Sequence, residues 1–196
     1  MQAELIVAAY YTRATGYAEE AKRLLESMRA WSLCYTVWEI ADHGGWQANT
    51  HFKAEFLQEL VHQYQGRKIL YVDADAVFRQ SPEALARLDA DIAVHYLQHA
   101  DGSEELLSGT ILLTANRPTL EVLARWRAEN GANPFTFDQV NLARAIQTMP
   151  SLRVRRLPPE YAFIFDIMRG RYPTMRPVIE HFQASRRYRG RSATVP

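Results

Sequence analysis

The sequence predicts an α/β domain with a mostly parallel central sheet and helices on both faces, and three observations support this. Apolar runs typical of buried strands alternate with stretches whose apolar residues recur at helical spacing. The chain has 196 residues, 47% of them hydrophobic, which is enough for one well-buried core. No internal repeat or low-complexity linker divides it, so we predict a single domain over residues 1–185 and a basic tail over residues 186–196.

Apolar periodicity and turn residues place the individual elements. The predicted strands cover residues 4–11, 34–40, 68–72, 92–96, 106–114, 153–157 and 177–181. The predicted helices cover residues 17–28, about 50–64, 82–88, 118–129 and 137–147. Ligands of such sheets bind beyond the carboxyl ends of the strands, so the residues that follow strands are the first functional candidates.

Composition excludes several classes of protein. Cys34 is the single cysteine, which excludes a disulfide scaffold and is compatible with a reducing compartment. The first eleven residues lack the basic lead-in and cleavage site of a signal peptide. No stretch approaches the roughly 18 apolar residues of a membrane span. We therefore expect a soluble, cytoplasmic protein.

The net charge of +1 hides an asymmetry between the two parts of the chain. Residues 151–196 contain ten arginines against three acidic residues, a net charge of +7, which leaves −6 for the first 150 residues. A basic segment suits an anionic partner, either a bound phosphate group or a nucleic-acid backbone. Residues 186–196 fit a solvated tail equally well, because they have few apolar anchors.

The most informative stretch is residues 68–78, where an apolar strand runs directly into Asp73 and Asp75. Positions i and i+2 of an extended chain point to the same side, so these carboxylates repel each other unless a cation lies near them. Magnesium or manganese, held by one or two carboxylates with waters and substrate phosphates, removes that conflict. The alternative is a pair of solvated or helix-capping aspartates in a loop.

The same stretch also resembles the nucleophile motif of haloacid-dehalogenase phosphatases, in which the first aspartate attacks phosphorus. That chemistry needs a later lysine, and the chain has none after Lys68. It also needs a second pair of metal-binding acids, whereas Asp89 and Asp91 flank the start of a predicted strand. We keep this class as a minor alternative.

Lys53 stands out on the helix predicted at residues 50–64. At about 100° per residue it falls on the same stripe as Phe56, Leu57 and Leu60. The first turn of a helix that follows a strand lies at the carboxyl edge of the sheet, where a lysine can reach an anion. We therefore predict that Lys53 contacts the substrate. The alternative is a lysine whose stem covers apolar surface while its ammonium reaches water.

Four sequence elements, in this order, resemble those of GT-A-type nucleotide-diphospho-sugar glycosyltransferases, in particular small bacterial and phage members. They are YVDADAVF at residues 71–78, SGTILL at 108–113, FDQ at 137–139 and VIEHFQ at 178–183. The resemblance extends from about residue 4 to residue 187. It implies a Rossmann-type GT-A sandwich and the transfer of a sugar, of hexosyl type, from a nucleotide diphosphate.

The resemblance also implies roles for individual residues. The implied metal ligands are Asp73, Asp75 and His181, and an imidazole ligand favours Mn²⁺ over Mg²⁺. Asp138 and Gln139 match the element beside the reacting sugar, where Asp138 is a general base if the reaction inverts the anomeric centre and an orienting group if it retains it. The other candidates for binding the donor are Tyr10, Tyr11, Thr12, Asn49, Lys53, Asp73, Ala74, Ser108, Gly109, Arg186 and Arg187.

The predicted function is therefore metal-dependent transfer of a sugar, from UDP in the first instance, to an acceptor hydroxyl. The acceptor remains open between a glycan, a lipid-linked sugar, a protein and a hydroxylated base in phage DNA. A non-catalytic nucleotide- or nucleic-acid-binding module is the alternative of a different class. A sugar nucleotidyltransferase is disfavoured, because no glycine-rich loop follows the first strand. His95 and His99 have ligand-like spacing but no third ligand nearby, so we interpret them as surface residues.

Overall fold

The structure, a computed structural model, describes residues 5–188. Its strands are β1 (Leu5–Thr12), β2 (Cys34–Ile40), β3 (Lys68–Val72), β4 (Ala76–Phe78), β5 (Ile92–Gln98), β6 (Glu104–Thr114), β7 (Val154–Arg156), β8 (Phe163–Ile164) and β9 (Ile179–His181). Its α-helices are α1 (Tyr17–Ala30), α2 (Trp46–His51), α3 (Lys53–Gln63), α4 (Arg117–Ala132), α5 (Asp138–Gln147), α6 (Phe165–Arg171) and α7 (Ser185–Tyr188). Two short 3-10 helices cover Glu83–Arg87 and Pro159–Tyr161.

Six strands form the central sheet in the order β2-β1-β3-β6-β5-β7. β1 pairs in parallel with β2 and β3, and β5 pairs in parallel with β7. β6 is antiparallel to both β3 and β5, so the first residues of β6 lie at the edge where β3 ends. The predicted mostly parallel α/β sheet is confirmed, and the reversal of β6 is what brings Ser108 and Gly109 beside Asp73.

Each face of the sheet is covered by helices, as the alternation of buried side chains in β1 illustrates. Ala8 and Tyr10 pack in the core cluster that includes α3, α4 and α5, whereas Val7 and Ala9 pack in the cluster that includes α1. Successive residues of a strand point to opposite faces, so a strand covered on both sides is apolar at every position. β3, which is buried throughout, is such a strand.

A second sheet, of three strands in the order β4-β9-β8, lies beyond the end of β3. β9 is antiparallel to β4 and places His181 opposite Ala76, and it is parallel to β8. A stretch more than 100 residues away in sequence is thereby brought beside the two aspartates. This small sheet positions the late histidine at the site.

Several elements differ from the prediction. The helix predicted at about 50–64 is two helices, α2 and α3, joined at Phe52. His95 is buried, 9% exposed, with Nδ1 2.8 Å from the carbonyl of Leu157, so its interpretation as a surface residue is wrong. His99 is on the surface, paired with Glu105. Residues 186–188 of the predicted tail belong to α7, and residues 189–196, like residue 4 of the first predicted strand, lie outside the described residues.

None of the helices within residues 5–188 combines the length and the apolar composition needed to cross a bilayer.

Candidate active site

A cleft of about 1060 Å³ opens where β1 and β3 end and β6 begins. Most of the residues singled out in the sequence line it: Tyr10, Tyr11, Thr12, Asn49, Lys53, Asp73, Ala74, Asp75, Ser108, Gly109, Asp138, Gln139, His181 and Arg186. Arg187 is not among the lining residues, since its Nη2 donates to Glu20 at 2.7 Å. The topology thus gathers residues from the whole length of the chain into one pocket at the edge expected for this type of sheet.

Asp73 is fixed through one of its carboxylate oxygens. Its Oδ1 accepts a hydrogen bond of 2.7 Å from the Tyr71 hydroxyl and lies 3.2 Å from Lys53 Nζ. Its Oδ2 points towards Gly109, 3.2 Å from where a Cβ on that glycine would lie. The side chain remains 41% exposed. Asp73 therefore presents an oriented and accessible carboxylate to the cleft.

Asp75 is more deeply buried and faces His181. Its Oδ2 accepts the backbone N–H of Ala184 at 2.7 Å, and its Oδ1 lies 3.7 Å from His181 Nδ1. Burial opposes the charge on this carboxyl, but the facing imidazole and the Ala184 N–H outweigh burial and lower the pKa of Asp75. The other ring nitrogen of His181 is 2.7 Å from Thr110 Oγ1, which fixes the orientation of the ring.

Asp73 and His181 lie beside Gly109, and Asp75 faces His181. A Cβ at Gly109 would lie 3.4 Å from the His181 ring as well as 3.2 Å from Asp73, so a larger residue would crowd both side chains. Within residues 5–188, no group of three or more His, Cys, Asp or Glu side chains lies close enough together to hold a metal ion. An ion at Asp73, Asp75 or His181 would therefore take part of its coordination from water and substrate phosphate, as Mg²⁺ and Mn²⁺ commonly do.

Lys53 lies inside the protein, 1% exposed, below this carboxylate pair. Its Nζ donates to Asp138 Oδ2 at 2.9 Å and to the carbonyl and hydroxyl oxygens of Ser108 at 3.1 and 3.2 Å. Burial opposes the ammonium charge, but the carboxylates of Asp138 and Asp73 outweigh it and raise the pKa of Lys53. The ammonium does not reach water, so the alternative of a surface-seeking lysine is wrong. Lys53 is the buried counter-cation of two aspartates.

Asp138 begins α5 and is held from several directions. The hydroxyl of Ser108 donates to Asp138 Oδ2 at 2.8 Å, in addition to the bond from Lys53. The indole of Trp126, in α4, donates to the Asp138 carbonyl at 2.8 Å. The side chain of the adjacent Gln139 donates to Glu105 at the start of β6. Asp138 Oδ2, the Asp138 carbonyl and the Gln139 side chain are therefore all hydrogen-bonded.

The opposite end of the cleft is formed by the ends of β1 and β2. Tyr10 is largely buried and its hydroxyl donates to the Asn49 carbonyl at 2.7 Å, whereas the Tyr11 hydroxyl donates to Glu39 at 2.9 Å. The Asn49 side chain accepts the His43 N–H and donates to Asp42 Oδ1. Tyr10 and Asn49 thus shape the walls and loop of this end, and Tyr11 and Thr12 lie at the cleft itself.

Helix α7 closes this end through contacts with the start of α1. The Tyr188 ring lies against Gly16, and a Cβ there would be 2.3 Å from it. Arg187 and the Tyr188 hydroxyl both donate to Glu20, which is 3% exposed. Arg186 lines the cleft and pairs with Asp166 of α6.

The site residues missed in the sequence include Tyr71, Glu105, Thr110 and Tyr188. Tyr71 precedes Asp73 by two positions, and Thr110 follows Ser108 by two. Both share a strand face with a candidate, so the period of two could have identified them. Glu105 and Tyr188 carry no such signal, because their placement depends on the reversal of β6 and on the packing of α7.

Comparison with solved structures shows the same fold in glycosyltransferases. One, involved in glycosylation of the major capsid of PBCV-1, superposes with a TM-score of 0.72 at 13% identity, covering 92% of this chain and 93% of that chain. GlyE of Streptococcus pneumoniae gives 0.60 at 13% identity and covers 91% of this chain, which spans about half (54%) of GlyE. The galactosyltransferase LgtC, solved with donor and acceptor sugar analogues, gives 0.56 at 13% identity and 97% of both chains.

Sequence comparison gives the family. None of the curated proteins compared matches this chain. The family model described as nucleotide-diphospho-sugar transferase matches residues 25–190, most of its length. The match favours sugar transfer over the phosphatase and the non-catalytic binding module that the sequence had left as alternatives. The chain therefore belongs to the nucleotide-diphospho-sugar transferase family and is a glycosyltransferase with a GT-A-like fold.

Proposed function

We propose that this glycosyltransferase binds UDP-sugar together with a divalent cation, Mn²⁺ in preference to Mg²⁺, and transfers the sugar to an acceptor hydroxyl. The observation that carries the proposal is the approach of Asp73 and His181 beside Gly109, with Asp75 facing His181 in the same cleft. One imidazole among the three ligands is the basis for preferring manganese. When bound, such an ion supplies Lewis-acid stabilisation of the charge on the departing diphosphate.

The transfer exchanges one bond for another. The acceptor hydroxyl oxygen bonds to the anomeric carbon of the donor sugar, and the bond from that carbon to the diphosphate oxygen breaks. The products are a glycoside, a nucleoside diphosphate and one proton. The protein contributes by holding the acceptor hydroxyl close to the anomeric carbon of the donor.

The walls of the cleft support particular roles for other residues. Tyr11 and Thr12, at the end of β1, form the base-binding end, where a uracil can stack on an aromatic ring. Arg186 lines the cleft, and we assign it to the diphosphate, which it would contact by exchanging its pair with Asp166. Ala74, Ser108 and Gly109 leave room for close approach of the donor, since their side chains are small or absent.

Asp138 has the role of a positioning residue in this proposal. Its Oδ2 already accepts hydrogen bonds from Lys53 and Ser108, and its side chain is 7% exposed. A carboxylate committed in this way is poorly placed to take a proton from an acceptor. We therefore assign Asp138 and Lys53 to holding Ser108 and Asp73 in place beneath the donor, with Gln139 beside the reacting sugar.

The test is a donor screen that measures release of free nucleotide from UDP-, GDP- and ADP-sugars in Mn²⁺, in Mg²⁺ and in EDTA. The proposal predicts release from UDP-sugar, faster in Mn²⁺ than in Mg²⁺ and abolished by EDTA and by Asp75→Asn. Asp89→Asn is the matched control, because that exposed aspartate lies before β5 at the opposite edge of the sheet. Full turnover in EDTA would refute the proposed metal requirement, and turnover of GDP- or ADP-sugars alone would refute the proposed UDP-sugar donor.

A further inference from the structure

The cleft extends beyond the donor-binding residues, across the strand order of the sheet. The residues assigned to the donor lie at the ends of β1 and β3, at residues 108 and 109 of β6, and at residues 181 and 186 from the last elements of the chain. Other lining residues come from β5, from the start of β6 and from the segment that contains β8 and α6. At about 1060 Å³ the cleft is at the upper limit for a single-ligand pocket, roughly 300–1,000 Å³. There is room for a second substrate beside the donor.

The wall on this far side, here called the β5–β6 wall, is apolar. It is lined by Leu97, Leu107, Ala162, Ile164 and Ile167. Ile167 is 46% exposed, which leaves apolar surface open at the cleft. Surface of this kind beside a polar site is typical of a binding surface for a ligand with an apolar face.

The polar groups on the β5–β6 wall are not cationic. Glu105 accepts the Gln139 side chain and lies 3.0 Å from His99 Nε2. The cations among the described lining residues are Lys53, which is buried against Asp138, and Arg186, which pairs with Asp166 beside Ile167. A carboxylate and an amide suit the hydroxyls of an uncharged ligand and repel a polyanion.

Several arginines of the basic C-terminal segment form ion pairs within the protein. Arg153 pairs with Asp91 at 2.8 Å, Arg156 with Glu104 at 2.6 Å, and Arg169 with Glu180 at 3.0 Å. These three guanidiniums already have anionic partners, which reduces the positive charge that they offer to a nucleic-acid acceptor.

A smaller hollow of about 200 Å³ lies next to the β5–β6 wall, and Leu97 lines both. Tyr96 and Tyr172 are among its lining residues, and the guanidinium of Arg156 stacks 4.5 Å from the Tyr96 ring centroid. Arg171 is held there by its hydrogen bond to the Gln98 carbonyl. Aromatic rings bordered by fixed polar groups suit the two-sided surface of a sugar ring, apolar on its faces and polar at its rim.

We propose that the β5–β6 wall is the acceptor subsite and that it takes an uncharged saccharide of at least two rings. One ring packs on Leu107 and Ile167 with its hydroxyls at Glu105 and Gln139, and the next ring continues past Leu97 into the hollow. This inference rests on the proposed function, because it requires a donor bound at Asp73 and Asp75. It names the class of acceptor that the sequence left open.

The experiment measures nucleotide release, above acceptor-free donor hydrolysis, with neutral methyl glycosides of mono- and disaccharides, with phosphorylated monosaccharides and with duplex DNA. We expect stimulation by neutral glycosides, with an acceptor KM about tenfold lower for disaccharides, and none by the anionic probes. The inference would be overturned if an anionic probe stimulated nucleotide release more than the neutral glycosides did, or if no neutral glycoside stimulated it. It would also be overturned if mono- and disaccharides stimulated release equally.

Two variants test the location of the proposed acceptor subsite. Ile167→Asp should raise the acceptor KM about tenfold and leave the donor KM unchanged, and Tyr172→Ala should abolish the advantage of disaccharides. Phe135→Asp is the control for placing an acid on an exposed apolar residue, since Phe135 is 92% exposed and outside the cleft lining. Equal acceptor KM values in Ile167→Asp and Phe135→Asp would contradict the assignment.

The two proposals fail in different ways. Acceptor-free donor hydrolysis without stimulation by neutral glycosides would refute the acceptor subsite only. No hydrolysis of any donor would refute the proposed function and the inference that rests on it.

Discussion

Replacing Lys53 by methionine tests the buried charge network from which the site is built. The ammonium lies 2.9 Å from Asp138 and 3.2 Å from Asp73, and its side chain is 2% exposed. Methionine keeps most of the volume and removes the charge, which leaves Asp138 buried without its counter-cation. Removing one partner of a buried ion pair costs about 3–5 kcal/mol. A domain of this kind is stable by roughly 5–15 kcal/mol, so the variant should still fold, with a large loss of stability.

The assay is urea unfolding of the wild type, Lys53→Met, Asp138→Asn and the double variant. Neutralising Asp138 removes the uncompensated charge, so the double variant should be about 2 kcal/mol or more above the stability expected from adding the two single effects. Lys68→Met is the matched control, because Lys68 is also buried but donates to the Leu88 and Ala90 carbonyls and to Thr114. Its combination with Asp138→Asn should be additive. Additivity of the Lys53 pair would refute the account of the network.

The other predictions concern α7 and acid stability. Gly16→Ala should displace the Tyr188 ring and raise the donor KM several-fold, with little loss of stability. In a Tyr188→Ala background, Gly16→Ala should not raise the donor KM further. A full further increase there would contradict the proposed effect of the contact between Gly16 and Tyr188. Burial opposes the charge of Asp91, but hydrogen bonds from Arg153 and Asn116 outweigh burial and lower the pKa of this carboxyl. The stabilisation that ionised Asp91 gives the folded state is therefore complete above the unfolded-state pKa of about 3.9. It is lost as the pH falls through the folded-state pKa. Asp91→Asn should therefore cost about 2 kcal/mol in thermal or urea unfolding at pH 7 and progressively less below pH 4; a pH-independent difference would refute this.

The parts of the fold that could be predicted are those with a clear local pattern of apolar and polar residues. The run from Lys68 to Asp75 predicted a buried strand ending in two carboxylates, because burial on both faces makes every strand residue apolar. Neither the interruption of the predicted helix at Phe52 nor the short strands β4 and β8 could be predicted. These features are too short to show a hydrophobic periodicity in the sequence. Pairing with β9 determines where β4 and β8 form.

The same distinction between local pattern and tertiary packing applies to the candidate site. Lys53 was identified from its position on an apolar helix face, but its ion pairs with Asp73 and Asp138 depend on three separate elements meeting. Arg187 was grouped with Arg186 as a neighbour in sequence, yet the two side chains diverge, one to Glu20 and the other to the cleft. Which of two adjacent basic residues faces a site is decided by tertiary packing.

The central claim is that Asp73, Asp75 and His181 bind the donor diphosphate through a shared divalent cation. The most direct measurement is isothermal titration of UDP into the wild type in Mn²⁺ and in EDTA, with Asp75→Asn and Asp89→Asn alongside. We predict binding by the wild type and Asp89→Asn in Mn²⁺, and a loss of affinity of at least tenfold in EDTA or in Asp75→Asn. Equal affinity in Mn²⁺ and EDTA, or unchanged Mn²⁺-dependent binding by Asp75→Asn, would contradict the account.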